Sequence, residues 1–229
     1  LPLAAALGYA TSVIHIYGLG PYIEPISESF GWSRTQTTVG LTISTIIQAV
    51  FGILIGYVVD RKGPRPFALL GILLTCAGFA LLGTATGDKA NWYMLWVVMA
   101  IATLPVQATV WTSAVATRFE ASRGMAFAVT LCGASVATAL FPWLGTKLIA
   151  EFGWQRAMSV QASIWVLIAF PPILLFFRGA RDGVAKPIEK HNEQLLHRVV
   201  RLVDQDGDGI MDQRIVAADK LPFTEGVLC

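Results

Sequence analysis

Few side chains in this 229-residue chain could do chemistry, and their spacing suits holding a solute rather than breaking bonds. Thr11, Ser12, His15, Gly18 and Tyr22 share one face of an apolar, helix-period stretch, with His15 an ionisable group well inside it. An ionisable side chain at that depth faces a bundle interior or a water-filled cavity, which makes His15 a candidate for solute contact. The alternative is a neutral imidazole hydrogen-bonded to a neighbouring helix. Thr103, Gln107 and Trp111 form a second polar stripe at helical spacing, which runs on toward Arg118. Together these residues offer hydrogen bonds, one imidazole and an indole. No Ser/His/Asp set, Cys/His cluster at metal spacing or phosphate-cradling glycine loop accompanies them. Binding without catalysis is the reading, with no cofactor, and with His15, Thr11, Gln107 and Trp111 as the candidate substrate-binding residues.

Two other groups carry charge with pattern. In Gly56-Tyr-Val-Val-Asp60-Arg61-Lys62-Gly63-Pro64-Arg65, Gly56 permits close helix approach, and Gly63 allows a sharp turn that Pro64 then fixes. Asp60 suits the positive end of a facing helix, and Arg61 and Arg65 suit acids or lipid phosphates. Near the end, Asp204, Asp206, Asp208 and Gly209 fall at positions 1, 3, 5 and 6 of a calcium-loop pattern. Position 12, where a bidentate Glu belongs, is Ile215, so a solvated turn is the better expectation and no metal site is assigned.

The elements that must hold these groups are apolar and long. Hydrophobic residues make up 55% of the chain and charged ones only 14%, against about 25% in a soluble domain. Half of the charged side chains lie after residue 179. The small net charge of +2 implies no nucleic-acid partner. Cys76 and Cys132 fall inside apolar runs and Cys229 is terminal, so no disulfide framework is expected. Six stretches approach the ~20 residues that cross a bilayer, at approximately Leu3–Ile23, Thr37–Val59, Pro66–Thr86, Trp92–Thr117, Met125–Thr146 and Met158–Phe177. Short connections make neighbouring spans antiparallel. The alternate loops with Arg61, Lys62, Arg65, Arg118, Arg123, Arg178, Arg181 and Lys186 then fall on one side, expected to be cytoplasmic together with both ends of the chain. Trp32, Trp92, Trp143 and Trp154 gather toward the opposite ends, as interface anchors do. In the second span, Gly40, Ser44, Gln48, Gly52 and Gly56 form a ridge of mostly small residues suited to close helix packing.

Residues 1–179 therefore read as a transmembrane domain and 180–229 as a polar cytoplasmic tail. In the tail, Leu195, Leu196, Val199 and Val203 predict an amphipathic helix over Ile188–Val203, followed by the Asp-rich turn and a short helix.

The Gly56–Arg65 loop resembles the signature loop of the major facilitator superfamily of secondary transporters. Phe30-Gly31-Trp32-Ser33-Arg34, Arg123-Gly124-Met125-Ala126 and Phe152-Gly153-Trp154-Gln155-Arg156 add a likeness to its oxalate/formate-antiporter and monocarboxylate-transporter branch. The resemblance implies an all-α six-helix half-carrier made of two inverted three-helix repeats. It also implies alternating-access transport of a small mono- or dicarboxylate, a loop that locks one state, and a partner half of six more helices. The stretch at Leu221–Glu225 resembles the lead-in to a seventh helix, and the start at Leu1 suggests an incomplete carrier. The spans depart from proton-coupled branches in having no Arg inside the fourth helix. Two other classes remain open: a membrane sensor whose tail binds calcium or a partner, and a six-helix protein that pairs with itself.

Overall fold

A computed structural model of the protein describes residues 2–116, 123–177, 198–203 and 213–219. They fall into two compact units, Leu1–Gly183 and Val184–Cys229.

The first unit is a bundle of α-helices whose ends are set by local chemistry. The first span is broken: α1 (Pro2–Ser12) gives way at Val13 to the short α2 (Ile14–Tyr17), a 3-10 turn at Gly20–Tyr22 and α3 (Ile23–Phe30). Its two parts are bent by 47°. Gly31, at φ 64°, stops α3 in the left-handed conformation that glycine adopts without strain. Ser33 and Gln36 then form a reciprocal capping box at 3.2 and 3.1 Å, which starts the second span, α4 (Arg34–Lys62). Gly63, at φ 85° and ψ 152°, lies in a region essentially restricted to glycine, and Pro64 opens the third span, α5 (Pro64–Leu82). Asp88 caps α6 (Lys89–Thr103). Pro105 lacks an N–H and interrupts this fourth span, which resumes as α7 (Ala108–Ala116) after a 3-10 turn at Leu104–Val106. Thr75 Oγ1 donates to the Ala102 carbonyl at 3.1 Å beside the break, a neighbouring helix re-satisfying exposed backbone.

The last helix, α8 (Arg123–Phe176), is two spans. As a straight rod its 53-residue apolar portion would run to about 80 Å, far beyond a hydrocarbon core of about 30 Å. Gly153, at φ 73° and ψ 159°, reverses the chain, and Phe141 meets Trp165 with ring centroids 4.7 Å apart across that turn. Among the described residues the bundle therefore has six spans. Their bounds differ from the sequence expectation in two places. The expected connection Glu24–Gln36 contains α3, because Ile26 is buried and Pro25 sits in the first turn, where its missing N–H costs nothing. The expected connection Lys147–Ala157 is helical on both sides of Gly153.

Packing pairs spans that are not consecutive. The first lies against the fifth and sixth, the second against the fourth, and the third against the fourth and sixth, whereas the second and third barely touch. This pattern is unchanged when spans one to three are exchanged with four to six, as two interlocked triplets require. Small residues allow close approaches: Gly133 meets the Ala6 backbone, Gly40 the Trp96 indole and Gly71 the Pro105–Val106 turn. The indoles also differ from expectation. Phe30, Trp32, Trp92 and Trp154 pack on one another with centroids 4.8 to 5.9 Å apart, and only Trp143 of the four tryptophans is exposed. Two Phe-Gly-Trp turns fold their indoles inward here, so these rings serve the core rather than a membrane interface.

In the second unit, β1 (Arg198–Val203) pairs antiparallel with β2 (Gln213–Asp219), with Val203 opposite Gln213 and an irregularity between Val199 and Val200. This overturns the expected helix over Ile188–Val203 in its last six residues, as well as the short helix after the turn. The β-branched Val199, Val200 and Val203 and the facing Ile215 and Val216 favour an extended ladder over a helix. Asp204, Asp206 and Asp208, and the tail helix before Arg198, lie outside the described residues.

Candidate functional site

The breaks in the first and fourth spans bring polar side chains to one level beside α4. His15 follows the break at Val13 and is buried. Thr103 closes α6 just before the Pro105 break and is also buried. Gln48 of α4 reaches both: its Nε2 donates to Thr103 Oγ1 at 3.1 Å and lies 3.4 Å from His15 Nε2. Thr103 spends its own proton on the Ala100 carbonyl at 2.8 Å, so its oxygen can only accept from Gln48. The amide nitrogen of Gln48 therefore points inward. Its Oε1 has no partner among the described residues, and Gln48 as a whole is half-exposed.

Gln107 sits at the fourth-span break in an extended conformation, φ −60° and ψ 160°. Its amide lies over Gly52, where an added Cβ would come within 3.0 Å of Oε1. Gly52 is one turn beyond Gln48 on the small-residue ridge, so the two carboxamides are neighbours along α4. Both are half-exposed, and neither contributes a buried unpartnered atom. Behind them, His15 Nδ1, Ser44 Oγ and Trp96 Nε1 are buried without partners among the described residues, and the His15 and Trp96 rings meet edge-on at 6.4 Å.

The structure thus joins His15 to the Thr103–Gln107 stripe, with Gln48 as the link. Sequence reasoning placed Gln48 in a small-residue ridge and not among the solute-binding residues. The available signal was its type, a carboxamide within an apolar span, which is costly unless it is used. Thr11 and Trp111 are not brought to this group. Thr11 Oγ1 donates to the Leu7 carbonyl at 3.0 Å and accepts from Trp165 Nε1 at 2.8 Å. Trp111 packs on Gly8 and on Phe177, and its Nε1 donates to the Val106 carbonyl at 2.8 Å. Both are fully buried, and these contacts use their polar atoms for packing.

At the far end of α4, no atom of the described residues stands within 4 Å of a Cβ placed on Gly56 or Gly63. The Arg61 guanidinium lies 4.4 Å from the Tyr57 ring centre. Arg65 donates to the Leu174 carbonyl at 3.2 Å, in the last turn of α8, where a cation also meets the negative end of the helix dipole. That contact replaces the expected acid or phosphate partner. Asp60 is placed as backbone at the end of α4, while its side chain, like Arg118, lies outside the described set. A groove of about 340 Å³ runs beside Gly56, between Val59 and Thr109, Thr112, Ser113, Ala116 and Phe127. No group of His, Cys, Asp and Glu among the described residues could hold a metal ion.

Six apolar spans, paired as two interlocked triplets around broken first and fourth helices, define a polytopic α-helical membrane bundle. Residues 5–218 match the profile of the Major Facilitator Superfamily, and the chain belongs to that family. It is similar to the riboflavin transporter RibJ of Trypanosoma cruzi, 24% identical over 57% of this chain and 28% of that protein. The corresponding protein of Trypanosoma brucei brucei is 28% identical over 59% of this chain and 25% of its own length. The multidrug resistance protein MdtH of Enterobacter sp. is 24% identical over 62% of this chain and 35% of its own. The chain thus spans about a quarter to a third of these relatives.

Proposed function

We propose that this chain supplies the six-helix first half of a carrier that moves a small solute across a cell membrane by alternating access. The finer part of the proposal is a mono- or dicarboxylate solute, which rests on the branch resemblance. The carrying observation is the pair of accessible carboxamides, Gln48 and Gln107, halfway along apolar spans. Lipid cannot solvate such groups, so their face belongs to a water-filled path or to a polar partner. The partner in this reading is a second six-helix half facing α4. The Gly56–Arg65 loop sits at the cytoplasmic end of their contact, together with both ends of the chain. Gln48, Gln107 and Thr103 line or support the solute position, and His15 stands behind Gln48. The names of the relatives, a riboflavin transporter and a multidrug resistance protein, support solute movement without fixing the cargo.

The test is Gln107→Cys in the complete gene product, with Cys76, Cys132 and Cys229 replaced by Ser. A membrane-impermeant thiol reagent is expected to label the introduced thiol in membrane vesicles and to inhibit uptake. A folded carrier whose introduced thiol stays unlabelled in both orientations would remove this face from the solute path.

A further inference from the structure

We infer that this site takes its solute as a neutral donor–acceptor group, a protonated carboxyl or a carboxamide, rather than as a carboxylate anion. The inference rests on the reading of Gln48 and Gln107 as the solute face.

It starts from the orientation of one amide. Thr103 gives its proton to Ala100 and so can only accept from Gln48, which places Gln48 Nε2 inward and leaves Oε1 facing the accessible side. The second N–H of the same amide points toward His15 Nε2 at 3.4 Å, which makes that ring nitrogen the acceptor and puts the imidazole proton on Nδ1. His15 and Thr103 are therefore positioning residues, since together they keep the amide from turning over. What Gln48 presents is an acceptor only.

Gln107 adds the complementary half. Its amide has no hydrogen-bond partner among the described residues and lies over Gly52, one turn along α4 from Gln48, a separation of about one helical pitch, ~5.4 Å. A carboxyl or carboxamide group placed between them can donate to Gln48 Oε1 and accept from Gln107 Nε2. A carboxylate has no proton to give. It would turn lone pairs toward Gln48 Oε1, so that acceptor would face acceptor with no hydrogen between them. Within this half, every described Lys and Arg side chain of the bundle lies within two turns of a span end, so none of them meets the solute at this level. The solute's carboxylate takes its proton from water on the entry side and returns it on the exit side. The proton travels on the cargo, and no side chain of this half has to titrate.

The experiment uses propionate and propionamide as probes on the complete gene product in detergent, with tryptophan fluorescence as the readout. Propionamide is expected to bind with one apparent Kd between about pH 5 and pH 8, since it does not ionise there. The apparent Kd of propionate is expected to rise about tenfold for each pH unit above the acid's own pKa, as only the neutral fraction binds. Thr103→Val should weaken propionamide about three- to tenfold by freeing the Gln48 amide, and Thr103→Ser should restore it. A propionate Kd that is constant with pH, or propionate binding without propionamide binding, overturns the inference. Binding of neither probe, while the Gln107→Cys variant is labelled, also overturns it and leaves the solute face intact. Failure of the labelling sinks the functional reading instead.

Discussion

Where the first span meets the sixth, polar groups are paired side chain to side chain. Trp165 donates to Thr11 at 2.8 Å, Tyr22 to Gln161 at 2.7 Å and Trp154 to Ser29 at 2.9 Å. Where the second span meets the fourth, Gln48 pairs with Thr103, but Ser44 Oγ and Trp96 Nε1, like His15 Nδ1 of the adjoining first span, are unpartnered among the described residues, and the outward carboxamide atoms lie open. The apolar window of the second span is only 11% buried, against 44% for the third. In the proposed function the first contact is scaffold and the second is the face that works. A fully paired interface gains nothing from moving, whereas one that leaves donors and acceptors unused keeps them for something else.

Substitutions can break the comparison. The largest effect is expected at Gly133, which meets the Ala6 backbone with no side chain free to yield. Gly133→Ala should destabilise the bundle by about 3 kcal/mol, the upper end of ordinary overpacking, seen as a large drop in the melting temperature of the detergent-purified protein. Thr11→Val should cost roughly 1–3 kcal/mol, because it strands the buried Trp165 Nε1. Arg65→Met should cost about 1 kcal/mol through loss of the Leu174 contact. Gly56→Leu should shift stability by less than about 0.5 kcal/mol, since no atom of the described residues stands near its Cβ position, yet uptake by the complete carrier should fall. A Gly56 variant that melts as early as the Gly133 one would erase the distinction between the two faces. His15→Ala should lower uptake without lowering membrane abundance, and unchanged uptake would detach the imidazole from the site.

The six spans were legible because hydropathy and turn residues report directly on them: Gly31, Gly63 and Gly153 each take the positive φ that a sharp turn there needs. The link from His15 to the fourth span was legible only in outline. Spacing puts Thr103 and Gln107 on one stripe, but which rotamers meet depends on the breaks at Val13 and Pro105. Trp111 and Thr11 share those stripes and are turned by the same breaks into packing. The tail failed for a different reason. Val199 and Val203 fit a helical period and a strand period alike, and the partner that decides, Gln213–Asp219, lies across the Asp-rich turn.

The Arg65 contact has a consequence for how the bundle opens. By reaching the Leu174 carbonyl, it closes a loop of chain 109 residues long with one guanidinium. The turn after the second span and the last turn of the sixth should then lose protection from amide hydrogen exchange together, as one cooperative unit. In Arg65→Met the two should exchange independently, with the end of the sixth span fraying first.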